Sequence, residues 1–137
     1  MAVLDTTILV DLLRKRQGPA ARRAAAVLRA LVADGEVLMT TRFNTAGLYV
    51  GTELSSDPDG EAARVDAALA PLRILDFDDA AARAYGRIEA SLRSSGRPVG
   101  DMDALIASVA LSNGQSVVTR NARHFQPIPG LVVHAVE

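Results

Sequence analysis

"MAVLDTTILVDLLRKR" (residues 1–16) runs from a short apolar stretch into a carboxylate and then at once into helical spacing. MAVLD reads as a buried strand that ends at Asp5. TTILVDLLRKR reads as a helix, which Gly18-Pro19 closes. Whether the strand-then-helix step recurs decides the fold.

It does recur. Residues 20–33 read as a second helix with Arg22, Arg23 and Arg29 available for its wet side. Asp34-Gly35 turns the chain into EVLMT, a second strand. A helix containing Gly47 follows, then the loop SSDPDG and a helix over roughly 61–70. PLRILDF contains a third strand, and DDAAARAYGRIEASLRSSG is a long helix ending at Gly96. Asp101 to Ser112 form a further helix, SVVTRN a fourth strand and LVVHAV a fifth. Such alternation implies βαβ units and a parallel sheet of four to five strands, covered on both faces. Right-handed crossovers place every strand's C-terminal end on one edge, where ligands of open α/β sheets bind.

The 137 residues suggest one domain, 1–137, with no internal repeat or linker. Hydrophobic residues make up 49% and charged residues 23%, the balance of an ordinary globular chain. No apolar run is long enough to span a membrane, and the N-terminus lacks a basic leader, so neither a membrane nor a secretion signal is expected. With no cysteine, disulfides and thiolate metal sites are excluded, and a cytoplasmic location is the default expectation. The net charge of −1 argues against a general nucleic-acid coat protein, while leaving room for an enzyme with a local basic patch. Arg14, Lys15, Arg16, Arg22 and Arg23 form the densest basic cluster, either a solvated helix face or a contact for phosphates.

The acidic edge carries the chemistry. Asp5 ends the first strand, Asp101 and Asp103 open the helix DMDALIASVALSN, and Thr119, Arg120 and Asn121 end the fourth strand. Carboxylates converging there suit a hard divalent cation such as magnesium, which activates water and stabilises phosphoryl transfer. Each acid also has a plainer reading. Asp101 fits a helix N-cap, and Asp103 gains from the helix dipole without a metal. Asp103 shares a face with Ile106, Ala107 and Ala110, however, so its carboxylate turns partly inward and needs a partner. Asp11, Glu53, Asp57, Asp59 and Asp66 read as solvated helix charges, Tyr49 and Tyr85 as helix-packing residues, and His124 as a surface or packing residue ahead of a substrate contact. Phosphate loops of the GxxxxGK[ST] type, GxGxxG and GxSxG are absent.

Gly47 is out of place. Phe43, Ala46, Val50 and Leu54 recur at a helical period, and position 47 falls on the same stripe, so it is expected to point inward. Glycine inside a helix costs roughly 1 kcal/mol relative to alanine. Either a functional side chain has been lost there or the helix packs too closely for one.

Three segments, "VLDTTILVDLL", "GDMDALIASVALSNG" and "VVTRNARHF", resemble the PIN-domain ribonucleases, specifically VapC toxins of VapBC toxin–antitoxin pairs. The resemblance implies a three-layer α/β/α fold and an acidic pocket binding Mg2+ or Mn2+. It also implies endonucleolytic cleavage of RNA of the tRNA or rRNA class, a cognate VapB-type antitoxin, operator DNA reached only through that antitoxin, and a homodimer. Asp5 matches the family's first acid and Asp103 the aspartate before "LIA", the two metal ligands; Asp101 is an accessory candidate. Asn121 stands where an aspartate is frequent, and Thr6 and Thr119 are auxiliary candidates that hydrogen-bond waters or the acids. "AGLYVG" replaces a pattern like "AELYVG", so Gly47 occupies the position of the second acid, and Glu53 is rotated too far round the helix to substitute. Arg22 and Arg23 are the candidate substrate contacts. The antitoxin groove is expected near the first three helices, with Leu12, Leu13 and Tyr49.

Two functions follow: a metal-dependent endoribonuclease toxin weakened or disarmed at Gly47, or a degenerate PIN domain that holds antitoxin without cutting. An aspartate-dependent phosphotransfer domain is disfavoured, because the one lysine, Lys15, lies in the first helix rather than at a strand end.

Overall fold

A computed structural model describes residues 1–13 and 18–136. Arg14, Lys15 and Arg16 of the basic cluster therefore lie outside the described residues. In chain order the elements are β1 (Ala2–Leu4), α1 (Thr6–Leu13), α2 (Pro19–Ala33), β2 (Leu38–Thr41), α3 (Arg42–Leu54) and α4 (Pro58–Leu69). They continue with β3 (Arg73–Leu75), α5 (Asp79–Ser95), α6 (Asp101–Ser112), β4 (Ser116–Thr119), α7 (Ala122–Phe125) and β5 (Val133–Ala135). All strands pair parallel in the order β3-β2-β1-β4-β5. The chain builds outward from β1 through β2 and β3, then crosses back to β4, so the direction of winding reverses between β1 and β4. That reversal opens a crevice beyond the strands' C-terminal ends, where Asp5 and Thr119 sit.

The strand period divides the core into two layers. Ala2 and Leu4 of β1 pack with Ile8, Leu28, Leu48 and Val65, on the side of α1 to α4. Val3 packs with Ile88, Leu92, Ile106 and Phe125, on the side of α5 to α7. Full burial of each of the larger of these side chains contributes about 1.5–3 kcal/mol. The result is the three-layer α/β/α arrangement. Local signals fix the helix ends: Asp78 accepts from the Ala81 amide at 2.9 Å to start α5, and Gly96 ends it at φ 66°, a left-handed conformation that glycine adopts without penalty. No helix among the described residues is long and apolar enough to cross a membrane.

Helix α3 departs from its expected orientation. Its buried residues are Asn44, Thr45, Leu48 and Thr52, while Val50 is 60% and Leu54 82% exposed. The apolar stripe faces outward, and Gly47 is on the exposed side with it. The physical reason lies at the helix start, where the sheet edge presents Thr41 and Asp5 and demands polar partners rather than apolar ones. Asp101 is likewise not an N-cap: Gly100 holds that place and Asp101 is the first helical residue. Asp11, expected to be solvated, is fully buried and forms an ion pair with Arg120 at 2.8 Å. A carboxylate taken out of water needs a cation beside it, and the β4–α7 turn brings one. Tyr49 is 43% exposed, and its hydroxyl donates to Asp66 at 3.2 Å instead of packing inward.

Candidate functional site

Asp5 stands where β1 hands over to α1. Its amide donates to the Val118 carbonyl at 2.9 Å, continuing the sheet, while its own carbonyl accepts from the amides of Ile8 and Leu9, starting the helix. The side chain is thereby driven into the crevice and is 5% exposed. A buried carboxylate must be matched by donors, and three elements supply them. Oδ1 accepts from Asn44 Nδ2 of α3 at 3.2 Å, and Oδ2 accepts from Thr119 Oγ1 of β4 at 2.8 Å and from Thr7 Oγ1 of α1 at 3.2 Å.

Each donor is itself held. Asn44, fully buried, accepts at Oδ1 from Thr41 Oγ1 at 2.7 Å and from the Thr41 amide at 3.2 Å, closing a reciprocal cap at the start of α3. Its Nδ2 also donates to Thr6 Oγ1 at 3.0 Å. Thr119 Oγ1 accepts from the Asn121 amide at 2.9 Å, and Thr7 Oγ1 from the Arg120 amide at 3.2 Å. Charge-assisted bonds of this kind are roughly twice as strong as neutral ones, so Asp5 is fixed in position and orientation.

Asp103 faces the same crevice from the first turn of α6 and is more loosely held. Its carboxyl is 26% exposed, with His124 Nδ1 3.3 Å from Oδ2. Burial pushes it above the ordinary carboxylate range, the negative charge of Asp5 adds to the rise, and His124 opposes it. Two acids therefore share one electrostatic field, an arrangement that a divalent cation would relieve. Among the described residues no cluster of three acidic, histidine or cysteine side chains has metal-holding geometry. Two carboxylates still fit magnesium, which commonly takes one or two of them and fills its remaining positions with water and phosphate oxygens.

The other expected site residues divide. Thr119 bonds the acid directly, whereas Thr6 reaches it only through Asn44. Asn121 is exposed beside this network and joins it by its backbone amide. Asp101 is exposed and its charge falls on Arg93 of α5. Arg22 and Arg23 are exposed on α2. Asn44 and Thr7 were not anticipated. The signal for Asn44 was its place three residues after Thr41, a capping pattern inside a helix that otherwise read as apolar.

A Cβ at Gly47 would meet Thr6 Cγ2 and Oγ1, both at 3.7 Å, which is ordinary van der Waals contact. Close packing therefore does not require glycine here. Position 47 opens beside Thr6, which shares Asn44 with Asp5. It also borders a cavity of about 400 Å3 between α1, α3 and α4, lined among others by Val10, Leu13, Gly51 and Val65. Of the three residues placed at the antitoxin groove, Leu13 lines this cavity, Leu12 packs on the core and Tyr49 is not part of the lining.

The PIN domain family matches residues 2–130. The tRNA(fMet)-specific endonuclease VapC of Salmonella typhimurium is 43% identical over 84 residues, covering 61% of this chain; the match spans 64% of that relative's length, and likewise 64% of the Shigella flexneri protein of the same name. Ribonuclease VapC2 of Haemophilus influenzae is 30% identical over 129 residues, 94% of this chain and 92% of that relative. Among solved structures, VapBC2 from Rickettsia felis bound to a promoter DNA fragment superimposes with a TM-score of 0.86 at 26% identity, covering 99% of this chain and 98% of that one.

Proposed function

The chain belongs to the PIN-domain family, and on that premise we propose that it is a VapC-type toxin of a toxin–antitoxin pair, a metal-dependent endoribonuclease weakened or silenced at Gly47. The observation that carries this reading is the pairing of Asp5 and Asp103 at the winding reversal, with room for a side chain at position 47 beside Thr6. Residues 1–137 act as one domain, in the cytoplasm, as a homodimer. The partner is a VapB-type antitoxin, through which operator DNA is reached; the outward apolar residues of α3 and the groove beside Gly47 offer it surface. The substrate is RNA of the tRNA or rRNA class, with Arg22 and Arg23 as contacts for its phosphates.

Asp5 and Asp103 would hold Mg2+ or Mn2+, which supplies positive charge against the charge that develops on a phosphate during cleavage. Asn44, Thr7 and Thr119 keep the Asp5 carboxylate oriented, and Thr6 and Asn121 border it. Asp101 contributes only charge at the rim. The presence of two rather than three carboxylates favours a second reading, in which the chain binds antitoxin without cutting.

Gly47→Glu separates the two. Co-expressed with antitoxin and then freed of it, this variant is expected to cleave total cellular RNA at least about ten-fold faster than the unsubstituted chain, in a manganese-dependent way. A folded Gly47→Glu protein with no metal-dependent cleavage would overturn the silenced-enzyme reading and leave the binding protein.

A further inference from the structure

A second hollow, of about 320 Å3, opens on the other side of Asp103, between the α5–α6 connection and α7. Pro98, Val99 and Pro127 give it apolar walls, Arg123 and His124 stand at it from α7, and Asp103 is part of its lining. We propose that this hollow is a nucleotide subsite, which receives one unstacked base of a single-stranded RNA whose neighbouring phosphate lies at Asp5 and Asp103. The inference rests on the RNA-cleaving reading above and moves the contact that selects the strand from α2 to the β4–α7 segment.

Size comes first. Ligand clefts span about 300–1,000 Å3, so this one suits a single base with its sugar and is too small for a duplex. Its chemistry is that of a stacking site. The apolar walls offer a base face no competing hydrogen bonds, while the planar groups of Arg123 and His124 are of the kind on which splayed-out RNA bases stack. Both are exposed, with the His124 side chain at 52%.

The hollow is also formed in advance. Pro98 and Pro127 have fixed φ, Val99 packs against the core, and fully buried Phe125 roots α7 beneath the pocket. Little ordering is left for the moment of binding. Because Asp103 walls both the hollow and the acidic crevice, a base in one and its adjoining phosphate in the other belong to consecutive positions of one strand.

The test is fluorescence anisotropy with a short labelled single-stranded RNA and a set of the same RNA carrying one abasic residue at each position in turn. For the unsubstituted chain, an abasic residue at one or two adjacent positions is expected to weaken binding about ten-fold. Against Arg123→Ser/His124→Ser, two changes at exposed positions in a variant confirmed folded by circular dichroism, those same abasic residues should have no effect. Sensitivity that persists in the double variant, or no position-specific sensitivity in the unsubstituted chain, overturns the subsite and leaves the RNA reading standing. Failure of the unsubstituted chain to bind any of these RNAs overturns both.

Discussion

The two halves of the acidic crevice are built on opposite terms. Asp5 is almost wholly buried, and donors from α1, α3 and β4 meet both of its oxygens. Asp103 is partly open, has His124 beside it, and its carboxyl is pushed toward the protonated form by burial and by Asp5. One carboxylate holds the fold together; the other is held by the fold against its own preference. A protein that needed only stability would have no use for the second, which is why Asp103 reads as a group kept for chemistry.

Substitutions should separate the two halves, beginning with the most severe. Asp5→Ala takes from Asn44 Nδ2, Thr7 Oγ1 and Thr119 Oγ1 the acceptor they share, and is expected to cost about 3 kcal/mol, measured by urea unfolding. Asn44→Ala removes one donor to Asp5 together with the cap of α3, for a loss of about 2 kcal/mol in the same measurement. A loss under half of that in either variant would mean that the Asp5 half is not the structural one. Gly47→Ala runs the other way: the added Cβ fits, the backbone is helical, and a gain of about 1 kcal/mol is expected.

The smallest effect is the most diagnostic. Asp103 binds its proton more tightly folded than unfolded, so stability is lost as pH rises from the unfolded value through the raised folded one. Asp103→Asn escapes this loss. Its melting temperature, without added metal, should therefore exceed that of the unsubstituted chain at neutral pH, with the gap closing as pH falls through the carboxylate range. An equal or lower melting temperature at neutral pH would show that the two acids are not opposed.

Much of this site is legible in the sequence because it lies where elements change. An apolar run stopped by Asp5, another stopped by Thr119, and an aspartate on the Ile106–Ala110 face all mark a strand end or a helix start. Helix α3 is different. Apolar spacing selects the stripe through Phe43, Val50 and Leu54, yet Val50 and Leu54 face solvent and the polar residues Asn44 and Thr45 face in. A hydrophobic period records which face prefers an apolar neighbour; it does not say whether that neighbour is the core or another molecule. Asp11 was illegible for a separate reason, since its partner Arg120 lies on a distant strand end and leaves no local trace. The four residues of α7 are too few to show a period at all.

The Arg120–Asp11 pair has a consequence for motion. To lift the β4–α7 turn from α1, the chain would have to part a fully buried carboxylate from the arginine beside it, and that separation opposes the motion. The turn carrying Asn121, Arg123 and His124 is therefore tethered at its root. The entropy of fixing its backbone is lost once, when the chain folds, and not again on binding of the RNA proposed above.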